Sequence, residues 1–300
     1  MQSASNVTTS HADRRRTAFS DWRAACIAGP DSAPSGNITT EPKSTSTKTG
    51  GPFGADAEAE GSLGIGAVTR WRASHACIDM ARPGPDSRPL RIKTELQGVI
   101  VDLKRIAILA IDMQNDFCTN GGWVDHLGAD FTPDRAPIAR WHALPPDLRA
   151  VGVPVVRVNW GDRPDLANRP PNLTHLDKST GVGIGLEDPL PSNGAPVLEK
   201  DSRAATAVDE LAPEPGDIQV DKHRISEFSD TPLESIPRNP GIKMVLFGCV
   251  KSDQCVLHTR SDANFSGYGW VMATDCCATV SPDFCAEAAV WSVKKCLERV

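Results

Sequence analysis

The chain has few of the features that mark membrane, secreted or nucleic-acid-binding proteins. Its 300 residues contain no apolar run of about 18 residues, so no membrane contact is expected. The start lacks the apolar segment of a secretory signal, and the nine cysteines include no Cys-x-x-Cys pair, which argues against a disulfide framework and a zinc knuckle. The net charge is −6 without a basic stripe, which excludes nucleic acid as an expected partner. We therefore expect a reduced, cytoplasmic protein.

Apolar residues are scarce in the first third of the chain. Only ten of residues 1–90 are Leu, Ile, Val or Phe, whereas Ser, Thr, Gly, Ala and Pro make up 52 of the first 100. A segment of this composition does not bury a core. The sequence therefore predicts a disordered N-terminal segment over residues 1–102 and one folded domain over residues 103–300. Residues 1–102 contain 12 Lys and Arg against 11 Asp and Glu, so the acidic excess belongs to the domain.

Apolar runs alternate with helical patterns from Lys104 onward. The runs predict strands over 106–111, 153–159, 217–220, 243–247 and 269–274, and the patterns between them predict helices near 135–150, 204–211, 231–236, 255–265 and 282–297. Such alternation indicates right-handed crossovers and a mostly parallel central sheet covered on both faces, a three-layer α/β/α fold. Ligands of these folds bind at the carboxyl ends of the strands.

Three reactive side chains follow predicted strands. Asp112 follows the first strand, Lys222 the third, and Cys255 opens the helix after the fourth. The positive end of a helix favours a thiolate, so the three groups could supply base, charge partner and nucleophile to one cleft. Each residue taken singly has another interpretation: a loop acid, a surface lysine, or a cysteine that packs the first helical turn.

Residues 106–297 resemble the isochorismatase-like cysteine hydrolases. The resemblance rests on three ordered motifs, at 111–117, at 221–228 with 231–233, and at 255–259. It implies an enzyme with the catalytic residues Asp112, Lys222 and Cys255 and no cofactor. Within the family the chain is most similar to biuret amidohydrolases, through 121–125 and 136–138, and to ureidoacrylate amidohydrolases, through 231–243.

The resemblance also implies a reaction. The protein would hydrolyse a C–N bond, other than a peptide bond, in a small linear amide of the ureido or carbamoyl class, through a thioester. Asp112 would take the thiol proton, and the backbone N–H groups of Lys251 and Cys255 would hold the oxyanion, with a cis peptide bond between Val250 and Lys251. The implied partners are a small-molecule amide substrate and further copies of the chain in a homo-oligomer.

Five residues near the predicted strand ends are candidates for substrate contact, although core packing is an alternative for the aromatic ones. They are Asn115, Phe117, Trp160, Asn172 and Phe228. Related proteins bind a metal through one Asp and two His after the second strand. Residues 159–165 and the lone His175 give no such cluster here, so no metal is expected.

A second hypothesis comes from departures from the family pattern. Cys249 stands just before the expected cis peptide bond, where relatives have another small residue, and Lys251 and Ser252 also differ there. The chain ends at Val300, a few residues after the last predicted helix. The alternative is a catalytically impaired member that serves as a binding or assembly module.

Overall fold

Two five-stranded sheets make up the framework of the described residues. The computed structural model describes residues 61–63, 71–80, 87–95, 97–186, 188–238 and 240–297. The larger sheet lies in the predicted domain, and the smaller one is formed by residues that precede it. Within these ranges, no helix combines the length and apolarity that a bilayer crossing requires.

The central sheet is parallel throughout, as the sequence predicts. Its order is β10-β9-β6-β7-β8. All six residues of β6 are apolar and buried, which suits a central strand covered on both faces. The five strands are β6 (Ile106–Ile111), β7 (Val155–Trp160), β8 (Ile218–Lys222), β9 (Met244–Val250) and β10 (Gly269–Ala278).

Helices cover both faces of this sheet. Alternate residues of β6 point to opposite sides: Ile106 and Ile108 share a core cluster with Trp141, whereas Ala107 and Leu109 share another with Val256. The three-layer α/β/α fold is therefore confirmed. The helices are α1 (Asn115–Cys118), α2 (Trp123–His126), α3 (Thr132–Arg135), α4 (Ile138–Ala150), α5 (Pro171–Asp177), α6 (Ser235–Arg238), α7 (Cys255–Phe265) and α8 (Asp283–Ser292), which continues as a π-helical turn over Val293–Leu297.

One predicted helix is absent from the described residues. Residues 204–211 form a loop that ends in a single 3₁₀ turn, Asp209–Leu211. The carbonyl of Thr206 accepts the backbone N–H of Asn115, and the carbonyl of Ala205 accepts Nε2 of Gln114. The prediction is wrong because these carbonyls bind the first loop of the domain rather than N–H groups of their own segment.

The expectation of disorder over residues 1–102 is wrong for the part that the structure describes. The smaller sheet has the order β1-β2-β3-β5-β4, and its residues Ile78, Leu90, Val99 and Val101 are buried in the same cluster as Ile106. A composition averaged over 90 residues hides such short apolar runs. Residues 1–60 lie outside the described ranges. The strands are β1 (Gly61–Leu63), β2 (Trp71–Ala73), β3 (Cys77–Asp79), β4 (Pro89–Ile92) and β5 (Gly98–Asp102).

Close packing of α4 on β9 generates a prediction at Gly248. A Cβ atom on this residue would lie 1.9 Å from a ring atom of the buried Trp141. We expect Gly248→Ala to lower the free energy of unfolding by about 3 kcal/mol, because neither the central sheet nor the indole can move aside. Urea denaturation measures this change.

Gly269→Ala provides the matched control. Gly269 is also buried in the sheet, but the nearest atom to its added Cβ would be 3.6 Å away, an ordinary contact. We expect a change below about 1 kcal/mol. Equal losses in the two variants would contradict this account of the packing.

Candidate functional site

The acid, the amine and the thiol predicted from the sequence lie together at the carboxyl edge of the central sheet. Asp112 directly follows β6, Lys222 is the last residue of β8, and Cys255 is the first residue of α7. Lys222 Nζ lies 2.6 Å from Asp112 Oδ2, and Cys255 Sγ lies within 4.8 Å of an Asp112 carboxylate oxygen. The fold thus brings together three groups that are up to 143 positions apart in sequence.

The ends of β6 and β7 are fastened to each other beside Asp112. Asp112 has a φ of 52°, a left-handed conformation that Asp tolerates better than most residues. The backbone N–H of Trp160 lies 3.2 Å from Asp112 Oδ1 and donates to Gln114 Oε1 at 2.8 Å, while Gln114 Nε2 donates to the Trp160 carbonyl at 2.7 Å. These bonds fix the direction of the Asp112 carboxylate.

Burial and charge set the protonation of the site. Asp112 and Lys222 are each at most 1% exposed and Cys255 is 7% exposed. Burial opposes the charge on Lys222, but Asp112, Cys255 and Glu227 together raise the pKa of its ammonium well above the usual value. Burial raises the pKa of the Cys255 thiol well above its usual value, Lys222 counteracts this, and Asp112 and Glu227 add to it. The resting thiol therefore carries its proton, and Asp112 is placed to accept it.

Glu227 is a fourth member of the cluster that the sequence analysis missed. Its Oε1 lies 2.6 Å from Lys222 Nζ, and the side chain is wholly buried. Burial raises the pKa of its carboxyl to about 8, with Lys222 lowering it and Asp112 raising it. The spacing of five residues from Lys222 was the available signal, but an acid in a polar loop is ordinarily a surface residue.

The turn between β9 and α7 carries a second buried ion pair. The Val250–Lys251 peptide bond is cis. The Lys251 ammonium lies 3.4 Å from Asp134 Oδ2 and 5.6 Å from the centre of the Phe117 ring. Burial raises the pKa of the Asp134 carboxyl to about 6, against the opposing charge of Lys251. Asp134 is not among the candidate residues predicted from the sequence.

Two of the five proposed substrate-contact residues lie beside these charged groups. The Trp160 ring centre is 5.2 Å from Lys222 Nζ, and its Nε1 donates to Asp162 Oδ2 at 2.8 Å. The Phe117 ring packs against Trp123, with centroids 6.3 Å apart, and faces Lys251. Both aromatic rings therefore border the cluster.

The other three lie elsewhere or are engaged in the fold. The side-chain amide of Asn115 donates to carbonyls of the 203–207 loop, including that of Arg203 at 2.9 Å. Asn172 is exposed on α5. The Phe228 ring packs on Tyr268, which precedes β10 and so lies toward the opposite edge of the sheet. Asn115 and Phe228 thus contact other parts of the fold, and the role of the three residues in substrate contact stays a prediction.

One group of side chains among the described residues has the spacing of a metal site. Ligand atoms of Asp112, Glu227 and Cys255 lie within 4.8 Å of one another. The Lys222 ammonium, 2.6 Å from an oxygen of each acid, already supplies positive charge there. After β7, Asp162 pairs with Arg169. The residues present thus favour an ammonium rather than a metal ion as the central cation.

Comparison with known proteins agrees with this architecture. The model of the isochorismatase domain matches residues 106–300. An isochorismatase family protein from Desulfovibrio vulgaris has 25% identity and a TM-score of 0.52, over 63% of this chain and 90% of that one. The match to the family model begins after the smaller sheet, whose last strand ends at Asp102.

Two further solved structures share the fold. An isochorismatase-like hydrolase from Alkaliphilus metalliredigens has 20% identity and a TM-score of 0.50, over 63% of this chain and 91% of that one. A nicotinamidase from Bacillus subtilis has 20% identity and a TM-score of 0.50, over 64% of this chain and 96% of that one. At this identity the likeness concerns the fold alone.

The buried ion pairs generate a stability prediction. We expect Lys222→Met to lower the free energy of unfolding by about 3–5 kcal/mol at neutral pH, because two buried carboxyl groups lose their cation. Lys222 lowers the pKa of the Glu227 carboxyl, so its removal raises that pKa further, and the loss shrinks as the pH falls and grows as it rises. Chemical denaturation at several pH values measures both effects.

Lys200→Met is the matched control. Lys200 pairs with Asp221 on the surface, with both side chains nearly half exposed. We expect a loss of less than about 1 kcal/mol. A loss in Lys222→Met that equals this control, or that does not change with pH, would contradict the proposed charge balance.

Proposed function

We propose that this chain, which belongs to the isochorismatase family of hydrolases, is a cysteine-dependent amidohydrolase. Its substrate would be a small linear amide of the ureido or carbamoyl class, and the C–N bond would be cleaved through a thioester. The observation that carries the proposal is the position of Cys255, which opens a helix with its sulfur within 4.8 Å of an oxygen of the Asp112 carboxylate that pairs with Lys222.

The first half of the reaction follows from this arrangement. Asp112 accepts the thiol proton as Cys255 Sγ attacks the carbonyl carbon of the substrate. The charge of Lys222 then faces the sulfur and a neutral Asp112 carboxyl. When the C–N bond breaks, the proton passes from Asp112 to the departing nitrogen, so that ammonia or an amine leaves and a thioester remains. In the hydrolysis of the thioester, Asp112 accepts a proton from the attacking water, the C–S bond breaks, and the Cys255 sulfur takes that proton back as the acid product leaves.

Backbone N–H groups of the turn before α7 would hold the oxyanion. Among the described residues, the N–H groups of Lys251 and Cys255 do not donate to a backbone carbonyl. Free N–H groups at the start of a helix are suited to a developing negative charge. The Cys255 N–H belongs to the nucleophilic residue itself, and the Lys251 N–H lies at the cis peptide bond four residues before it. Both positions support this role.

The burial of the site favours a small substrate. Cys255 is 7% exposed, and the Phe117 and Trp160 rings border the cluster and are also largely buried. A planar ureido or carbamoyl group is compact enough to lie against such rings. The preference for this substrate class rests on the sequence resemblance, and a homo-oligomer and a cytoplasmic location likewise stay predictions.

A specific observation favours the second hypothesis, a catalytically impaired member that acts as a binding or assembly module. Burial holds the Cys255 thiol in its protonated form, and two carboxyl groups oppose its ionisation. In that case, Cys255 would be a packing residue at the start of α7. Thiol reactivity in the native protein separates the two hypotheses.

A panel of biuret, N-carbamoyl amino acids and simple primary amides tests the proposed activity. We expect ammonia release by the wild type, loss of at least about a thousandfold in Cys255→Ala, and a loss of about a hundredfold or more in Asp112→Asn, which lacks the general base. Hydroxylamine should divert part of the product to a hydroxamate, since it attacks the thioester.

Cys285→Ala is the control for the loss of a thiol, because Cys285 lies on α8 outside the cluster. It should retain wild-type turnover. Equal ammonia release by Cys255→Ala and the wild type would reject Cys255 as the nucleophile. A wild type without turnover on the panel and without native alkylation of Cys255 would favour the binding or assembly module.

A further inference from the structure

Glu227 lies in the catalytic cluster but has no part in the reaction described above. Its Oε1 contacts the Lys222 ammonium at 2.6 Å. Its Oε2 is buried and has no hydrogen-bond partner among the described residues. A buried carboxylate with one unpaired oxygen is costly, whereas a protonated carboxyl carries no charge there.

The backbone holds Glu227 firmly in this position. Its N–H donates to Thr259 Oγ1 at 3.1 Å, and Thr259 lies one turn beyond Cys255 on α7. Its carbonyl accepts the hydroxyl of Thr231. Because both backbone groups are bound, the side chain cannot leave the cluster by a simple movement of the loop.

A charge count shows what the proton on Glu227 does. The groups that face it are Lys222 from β8, Asp112 after β6 and Cys255 from α7. With Glu227 neutral, Lys222 balances one negative charge, which moves from Asp112 to the sulfur when the thiol proton is transferred. With Glu227 ionised, Lys222 faces two negative charges in a buried site, and the thiolate competes with a carboxylate for one cation.

Other polar and charged side chains of the same loop have partners outside the cluster. His223 and Arg224 both contact Asp230, and Ser226 donates to Asp262. The proton balance at Glu227 therefore depends on the three groups named above.

We propose that Glu227 is a positioning residue that acts through Lys222 and must carry a proton for the Cys255 thiolate to form. In its neutral state it leaves the Lys222 charge to the reacting sulfur. In its ionised state it holds that charge and suppresses the nucleophile. The proposal deepens the proposed function, since it concerns the same nucleophile, but its test needs no substrate.

The elevated pKa of Glu227, about 8, agrees with this role and gives the pH range. The carboxyl is protonated at neutral pH and ionises as the pH rises through this value. The folded-state pKa lies above the usual 4.5, so the associated stability is present at low pH and is lost as the pH rises through about 8.

Alkylation of Cys255 by limiting iodoacetamide, followed by mass spectrometry as a function of pH, tests the proposal. The step forms an S–C bond, releases iodide and transfers the thiol proton to Asp112 or solvent. We expect the wild type and Glu227→Gln to react alike near pH 6, because Glu227 is neutral in both. Near pH 9, Glu227→Gln should react about tenfold faster, which corresponds to a thiolate pKa lower by about one unit.

One further variant serves as a control and another as a substitute for Glu227→Gln. Glu234→Gln removes an exposed acid of the same loop that pairs with Arg238, and its profile should match the wild type. Glu227→Leu replaces the carboxyl by an apolar group and stands in if Glu227→Gln fails to fold. A merely structural role would instead lower or raise reactivity equally at every pH.

Infrared spectroscopy of the wild type supplies a measurement that needs no folded variant. A buried protonated carboxyl gives a C=O stretching band, which should be present near pH 6.5 and disappear with a midpoint near pH 8. The absence of this band at neutral pH, or coincident alkylation profiles of wild type and Glu227→Gln, would overturn the proposal.

The outcomes separate this proposal from the function it rests on. Amide turnover with coincident alkylation profiles would retain the amidohydrolase and remove the role of Glu227. A pH-dependent gain in Glu227→Gln without turnover on any amide would retain the role of Glu227 and reject the proposed substrates.

Discussion

A single buried ammonium organises the carboxyl edge of the central sheet. Lys222 Nζ lies 2.6 Å from an oxygen of Asp112 and 2.6 Å from an oxygen of Glu227, without exposure to solvent. The buried Asp112 carboxylate shares this small volume with the Glu227 carboxyl and the Cys255 thiol, and the ammonium balances its charge. One side chain therefore balances the charges that meet at the ends of β6 and β8 and the start of α7. The proposed chemistry uses the same charge.

Much of the framework could be predicted because it depends on local pattern. Short apolar runs bounded by polar residues identified the strands, and α7 begins at Cys255 and ends at Phe265 as predicted. Since parallel strands share one carboxyl edge, the convergence of Asp112, Lys222 and Cys255 followed from topology. No side-chain contact needed to be known for this step.

The remainder of the site depends on contacts between distant segments. Asn115 is polar and close to Asp112 in sequence, yet its amide binds the 203–207 loop. Phe228 follows the lysine motif, yet its ring packs on Tyr268. Glu227 belongs to a residue type that is ordinarily exposed, yet its side chain is wholly buried. Sequence spacing assigns such residues to a neighbourhood, but the competition between solvent and tertiary partners decides where each side chain lies.

The smaller sheet shares a hydrophobic core with the central sheet. The family match begins at residue 106, but Ile78, Leu90 and Val101 lie in the same apolar cluster as Ile106 and Met244, which belong to the central sheet. The start of the family match therefore lies within a hydrophobic core rather than outside it. Amide groups of β3 and β5 should exchange their hydrogens through the same global opening as those of β6, so the smaller sheet and the hydrolase domain unfold as one cooperative body.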